Sequence, residues 1–135
     1  MREAACSCGQ LRVRVEGEPV RISMCHCFAC QRQTGSAFSM QARYPKEQVQ
    51  VEGRYSDYVR ENDEGEERTF HFCPDCGSTV WYQTDPELIA VRIGNFADPT
   101  FTPPRVSIVT LWPWTVFTLD IVTTSAAMTV PGTTW

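Results

Sequence analysis

No stretch of this 135-residue sequence is long and apolar enough to cross a bilayer as a helix. The opening run, MREAACSCGQLRVRV, lacks an apolar segment of signal-peptide length. The twelve Lys and Arg residues form no run, and the formal net charge is −4. Phosphate contact needs clustered basic side chains, so neither a nucleic-acid partner nor an acidic membrane surface is expected. There is no phosphate-binding loop, no dinucleotide fingerprint and no serine nucleophile elbow. Helical periodicity is poor throughout, and neither an internal repeat nor a linker is visible. The acidic stretch containing Asp57, Asp63, Glu64, Glu66 and Glu67 lacks the ligand spacing and loop glycine of a calcium-binding EF-hand, and reads as a solvated loop.

What the chain does have is cysteine, seven in three tight clusters. Cys6 and Cys8 form C-x-C, Cys25, Cys27 and Cys30 form C-x-C-x-x-C, and Cys73 and Cys76 form C-x-x-C. An odd number argues against an extracellular disulfide framework, and a reducing cytoplasm is expected, where clustered thiols read as metal ligands. Tetrahedral zinc takes four thiolates when a site is closed and structural; three leave one position open for chemistry. The C-x-x-C of FCPDCGS reads as a zinc knuckle stiffened by Pro74, with Gly77 allowing a backbone N–H to reach a cysteine sulfur. Its natural partner is the N-terminal C-x-C-G. A competing arrangement closes a site with Cys6, Cys8, Cys25 and Cys27 and leaves Cys30, Cys73 and Cys76 open. The first is preferred because Cys25, Cys27 and Cys30 can wrap one ion within a single turn.

Three thiolates and Zn²⁺ sum to a charge of −1, a weak Lewis acid but a good acceptor of one more soft ligand. That points to activation of an incoming thiol, whose thiolate can add to an aldehyde carbon. Gln31, Arg32, Gln33 and Ser36 follow closely and could bind the carboxylates and amides of a peptide-like thiol such as glutathione; the plain alternative is a solvated polar turn. Thr34 and Gly35 shape that turn. His26 is either a fourth ligand or a histidine bonded to backbone, and alternation in an extended C-H-C favours the latter.

Short alternating segments suggest a mainly β domain of antiparallel sheets with zinc turns at its edges. Leu11, Val13 and Val15 alternate with Arg12, Arg14 and Glu16 in a half-buried strand. Further strands are expected at Val20–Met24, Ala37–Tyr44 (Phe38 and Met40 on one face), Gln48–Val51, Thr79–Gln83, Leu88–Ile93, Val106–Trp112 and Val116–Val122. Arg54–Arg60 should pair with Arg68–Phe72, and CFACQRQT is the best helical turn. Trp81, Phe96, Phe101, Trp112 and Trp114 either pack the core or line an apolar pocket, and core packing is preferred for most.

The three cysteine clusters, with IGNFADP (Ile93–Pro99), PPRVSI (Pro103–Ile108) and Trp114, resemble the glutathione-dependent formaldehyde-activating enzyme family, also called the GFA or CENP-V domain. The resemblance covers residues 1–116, with 117–135 a last strand or tail of the same single domain. It implies a β-tent-like fold and two Zn²⁺ per chain. Cys6, Cys8, Cys73 and Cys76 would hold a structural zinc, and Cys25, Cys27 and Cys30 an open, catalytic one. It implies a carbon–sulfur lyase that condenses glutathione with formaldehyde to S-hydroxymethylglutathione. Many members carry His where this chain has Ser107, and the tail after Trp114 departs from their acidic, aromatic ending. The alternative is a non-catalytic zinc module that binds a thiol metabolite or a protein. Edge strands would permit a homodimer without requiring one.

Overall fold

The computed structural model describes residues 1–62, 65–83, 85–104 and 106–108. Mainly antiparallel strands form two sheets. The smaller has the order β1–β2–β5, with β1 Arg2–Ala5, β2 Arg12–Val15 and β5 Val49–Glu52. The larger has seven strands in the order β10–β3–β4–β9–β8–β7–β6. These are β3 Arg21–Cys25, β4 Ser39–Pro45, β6 Ser56–Glu61, β7 Glu67–Phe72, β8 Thr79–Gln83, β9 Leu88–Arg92 and β10 Val106–Ile108. One helix, α1 Phe28–Thr34, and single 3₁₀ turns at Lys46–Gln48 and Ile93–Phe96 complete the described elements.

Alternation decides β2. Leu11, Val13 and Val15 are fully buried, while Arg12 is exposed and Arg14 half-exposed. Each buried apolar side chain stabilises by roughly 1.5–3 kcal/mol relative to exposure. They pack with Ala4 against Ala42, Tyr44, Val80, Trp81, Ile89 and Val91 of the large sheet, closed by Phe96 and Phe101. Trp81, Phe96 and Phe101 are thus core residues, as preferred above. The expected Arg54–Arg60 hairpin is present as β6–β7, in register from Ser56↔Phe72 to Glu61↔Glu67.

Three strand readings are refined. β4 begins at Ser39, so Phe38 lies just outside it, and both of its faces are buried, Ser39 and Gln41 on one and Ala42 and Tyr44 on the other. β1 had no alternation to reveal it; only Ala4 is buried, and pairing with β2 makes the strand. β10 pairs with β3 in parallel, the exception to an otherwise antiparallel scheme. Residues 109–112 of the expected Val106–Trp112 strand, the Val116–Val122 strand, the tail, Trp114, Asp63 and Glu64 lie outside the described residues, as does the side chain of Ser107.

One face of the large sheet is polar where it should meet the central cysteines. Cross-strand pairing sets Ser23 beside Gln41 and Gln41 beside Arg92, with Cys25 beside Ser39 one step along. Ser23, Gln41, Ser39 and Arg92 are all buried. Gln41 donates to Ser23 Oγ at 3.0 Å, and the Ser39 hydroxyl donates to Gln41 Oε1 at 2.9 Å. Buried polar groups persist when they satisfy one another, and this row carries the sheet into the three-cysteine region.

Candidate metal centres

Cys6, Cys8, Cys73 and Cys76 bring their sulfurs within 4.8 Å of one another, and Cys25, Cys27 and Cys30 do the same as a separate group. The competing arrangement, with Cys30 beside Cys73 and Cys76, is therefore excluded by the fold. All seven thiols are free.

The four-cysteine site is built from two loops with one hydrogen-bond scheme. Gly9 N–H donates to the Cys6 carbonyl at 2.9 Å, and Gly77 N–H donates to the Cys73 carbonyl at 2.8 Å. Cys6 N–H reaches Leu11 O, and Cys73 N–H reaches Ser78 O. Both glycines have left-handed backbones, with φ of 78° and 75°, which β-carbon-bearing residues rarely adopt. As expected of the turn at Gly77, backbone N–H groups reach a cysteine sulfur: those of Asp75 and Cys76 serve Cys73, while the N–H of Gly77 itself closes the turn onto a carbonyl. Adjacent sulfurs lie 3.5 Å apart for Cys6 and Cys8, and 3.6 Å for Cys8 and Cys73. A tetrahedral zinc with bonds of about 2.3 Å needs sulfurs roughly 3.8 Å apart, so this donor set fits the ion.

A third loop, absent from the sequence reading, braces this site. Gln10 donates to the Cys73 sulfur at 2.9 Å and to the Arg54 carbonyl at 2.8 Å, while its Oε1 accepts the Arg54 N–H at 3.0 Å. Arg54 then grips Asp75, inside the C-x-x-C, at 2.7 and 3.0 Å. Gly53 permits the approach, since a β-carbon there would fall 2.1 Å from the Gln10 carbonyl oxygen. Ser7 and Ser78 join the two cysteine loops directly, with their hydroxyls 3.0 Å apart.

The three-cysteine site is local. Cys25 ends β3, and Cys27 is the N-cap of α1, its sulfur accepting the Cys30 N–H at 3.4 Å. The helix ends at Gly35, whose left-handed backbone donates to the Gln31 carbonyl at 2.8 Å. Strand end, cap and first turn thus place three sulfurs on one point. His26 is buried with its ring 5.8 Å from Phe38, and it is not among the converging ligands.

The thiols titrate as crowded groups. The hydrogen bond from Cys25, with help from Cys27, Arg92 and Ser39, brings Cys30 down to about 5, against the effect of burial. The same Cys30 contact, with burial, pushes Cys25 well above the usual thiol range. In the other cluster, Ser78 brings Cys76 down to about 6 through its hydroxyl and its N–H. Cys8 accepts the Gln10 N–H, which favours thiolate, yet the thiol of Cys6, desolvation and Cys73 push it up to about 12. Burial opposes ionisation of Cys73, but the Gln10 amide and the N–H groups of Cys76 and Asp75 bring it below its ordinary value. Each cluster therefore holds protons that a bound dication would displace.

A cavity of about 450 Å³ lies between the end of α1 and the C-x-x-C loop, bordered by Gln33, Ser39, Ser78, Arg92 and Asn95. That volume suits a small-molecule ligand. Of the four side chains proposed from sequence, Gln33 borders the cavity. Gln31 donates to the His26 carbonyl at 3.0 Å, and Arg32 and Ser36 are exposed. Ser39 and Arg92 were missed. The available signal was an arginine closing the apolar run LIAV, where β9 is buried at four consecutive positions.

Residues 1–111 match the family model described as glutathione-dependent formaldehyde-activating enzyme. Among solved structures, the chain is similar to a crystal structure of a Rhodobacter sphaeroides protein from a structural-genomics programme. The TM-score is 0.54 at 20% identity, over 78% of this chain and 99% of that one, a likeness of fold. No curated protein sequence matches the chain.

Proposed function

Because the chain belongs to the glutathione-dependent formaldehyde-activating enzyme family, we propose that it is a zinc-dependent carbon–sulfur lyase or synthase. It joins a thiol such as glutathione to formaldehyde or another small aldehyde. The observation that carries this reading is the convergence of Cys25, Cys27 and Cys30 into a group of three, separate from a complete group of four. Cys6, Cys8, Cys73 and Cys76 would hold a structural zinc, and Cys25, Cys27 and Cys30 the zinc of the reaction site.

A zinc held by Cys25, Cys27 and Cys30 supplies the positive charge that favours the thiolate form of an incoming substrate sulfur. The chain's own residues set the stage. Cys27, as both cap and ligand, couples the helix start to the site. Ser39 and Arg92 both stabilise negative charge at Cys30. In the reaction the substrate thiol loses its proton to water, and its sulfur adds to the aldehyde carbon. A carbon–sulfur bond forms, the carbonyl π pair moves to oxygen, and that oxygen takes a proton to give the S-hydroxymethyl adduct. The reverse sequence releases the aldehyde. No side chain is needed as a separate base, because a lowered thiol pKa lets water accept the proton. Seven free thiols suit a reducing cytoplasm. No described helix is long and apolar enough to cross a membrane.

The test is exchange NMR on glutathione plus formaldehyde, with and without the zinc-loaded protein. Cys27→Ser is the control, since serine is itself a good N-cap and removes the ligand while keeping the helix start. Interconversion of glutathione and its adduct should be accelerated by the protein and not by the variant. Equal rates with and without protein would retire this reaction.

A further inference from the structure

Arg92 is a buried cation with no carboxylate partner among the described residues. The residue is 7% exposed. The guanidinium lies over Tyr82, 4.9 Å from the ring centre, which fixes one face. One NH group donates to Ser39 Oγ, and the other donates to Gln33 Oε1 at 2.6 Å. The Nε has no hydrogen-bond partner among the described residues. Burying a positive charge is costly unless an anion or a full set of acceptors faces it. Here two neutral acceptors serve a group with five N–H donors.

The same guanidinium borders the 450 Å³ cavity. Among the described residues, none bordering that cavity is acidic, and Arg92 is the single charged one. Ser39 belongs at once to the cavity wall, to the Arg92 bond and to the β3–β4 pairing that sets it beside Cys25. The cavity therefore meets the three-cysteine cluster at Ser39 and presents a fork-shaped cation just beyond it. A carboxylate is the anion whose two oxygens match such a fork.

We propose that this cavity is the carboxylate subsite of the thiol substrate, with Arg92 as the binding residue and Gln33 and Ser39 holding its guanidinium in place. The substrate class is thereby narrowed to thiols that carry a carboxylate, as glutathione does. This rests on the reading above only in that the thiol end reaches Cys25, Cys27 and Cys30; the carboxylate end is a separate contact with a separate residue.

The test uses S-methylglutathione, which keeps both carboxylates and has no free thiol, and its dimethyl ester. Each is titrated by calorimetry into the zinc-loaded wild type, Arg92→Gln and Arg92→Lys. The acid should bind the wild type roughly 10- to 100-fold tighter than the diester, the range expected for a hydrogen bond to a charged group. Arg92→Gln should erase that preference, and Arg92→Lys should restore part of it, with near-UV circular dichroism and two zinc ions per chain retained. Should Arg92→Gln misfold, the acid-to-diester comparison on the wild type and Arg92→Lys decides. Equal affinity for acid and diester, undiminished binding in Arg92→Gln, or no wild-type binding of the acid at millimolar concentration would each overturn the proposal. Arg92-dependent binding without accelerated glutathione–formaldehyde exchange would retire the reaction and keep the subsite.

Discussion

The two cysteine clusters use the same side chain for opposite structural ends. The four-cysteine group draws ligands from Cys6 and Cys8 at one end of the fold and from Cys73 and Cys76 far along the chain. A third loop braces it through Gln10, Gly53, Arg54 and Asp75. The three-cysteine group comes from one strand end and one helical turn, and Ser39, paired with Cys25, borders a cavity. A ligand set that closes a long loop constrains the unfolded chain strongly; one spanning six residues constrains it little. A metal at the first would hold the fold, and one at the second would be free to be tuned by what surrounds it.

Opposing substitutions break this comparison most directly. Cys73→Ser should abolish the cooperative thermal transition and lose the metal of the four-cysteine site. Metal binding at such sites contributes on the order of 10 kcal/mol, as much as a domain's whole stability. Cys27→Ser should melt cooperatively with about one zinc per chain. Near-UV circular dichroism melts with metal analysis check both; similar melts for the two variants would erase the distinction.

Gly53→Ala should come next, because its β-carbon would meet the Gln10 carbonyl oxygen at 2.1 Å with φ at +102°. A loss on the order of 3 kcal/mol is expected in denaturant unfolding. Weaker retention of the four-cysteine metal should accompany it, with the three-cysteine metal unaffected. Gln10→Leu keeps the backbone but removes the bonds to Cys73 and Arg54. It should cost about 1–3 kcal/mol and raise metal loss to a chelator at the same site. Chelator competition followed metal by metal separates these outcomes.

The smallest effect concerns an exposed charge remote from the comparison. The hydrogen bond from Arg14, with further help from Arg12, holds the Glu3 carboxyl below its ordinary value of 4.5. A depressed carboxylate contributes stability that is present above that value and is lost as pH falls through the folded-state value. Solvent screens this pair, so Glu3→Gln should only slightly flatten the acid limb of a melting-temperature profile and leave the metal content of both sites unchanged.

Much of the frame was legible because alternation and spacing are local. Leu11, Val13 and Val15 announced β2, and the Thr79–Gln83 strand was read with its observed bounds. The helical turn at CFACQRQT became α1. The four-plus-three partition was favoured by spacing, but the rival partition stayed open until the loops were seen in space. β1 was illegible because REAA carries no alternation; β10 opens the expected Val106–Trp112 strand, but its parallel pairing with β3 was not legible, because a parallel partner leaves no turn to signal it. The tight turn at Gly77 was legible, but the sequence shows only that a backbone N–H can reach a sulfur, not that Asp75 and Cys76 are the residues that supply it.

By itself the sequence determined the donor chemistry, the β character and the family, because residue type, short spacing and period are properties of neighbouring positions. Tertiary structure alone decided what stands beside those donors. The Gly53–Arg54 turn reaches both halves of the closed site through contacts between residues distant in the chain. Arg92 joins Ser39 and the central cysteines because β9 pairs with β4, setting Arg92 opposite Gln41. Strand pairing is a long-range choice made by the burial of whole faces, and the charge that borders the cavity follows from that choice.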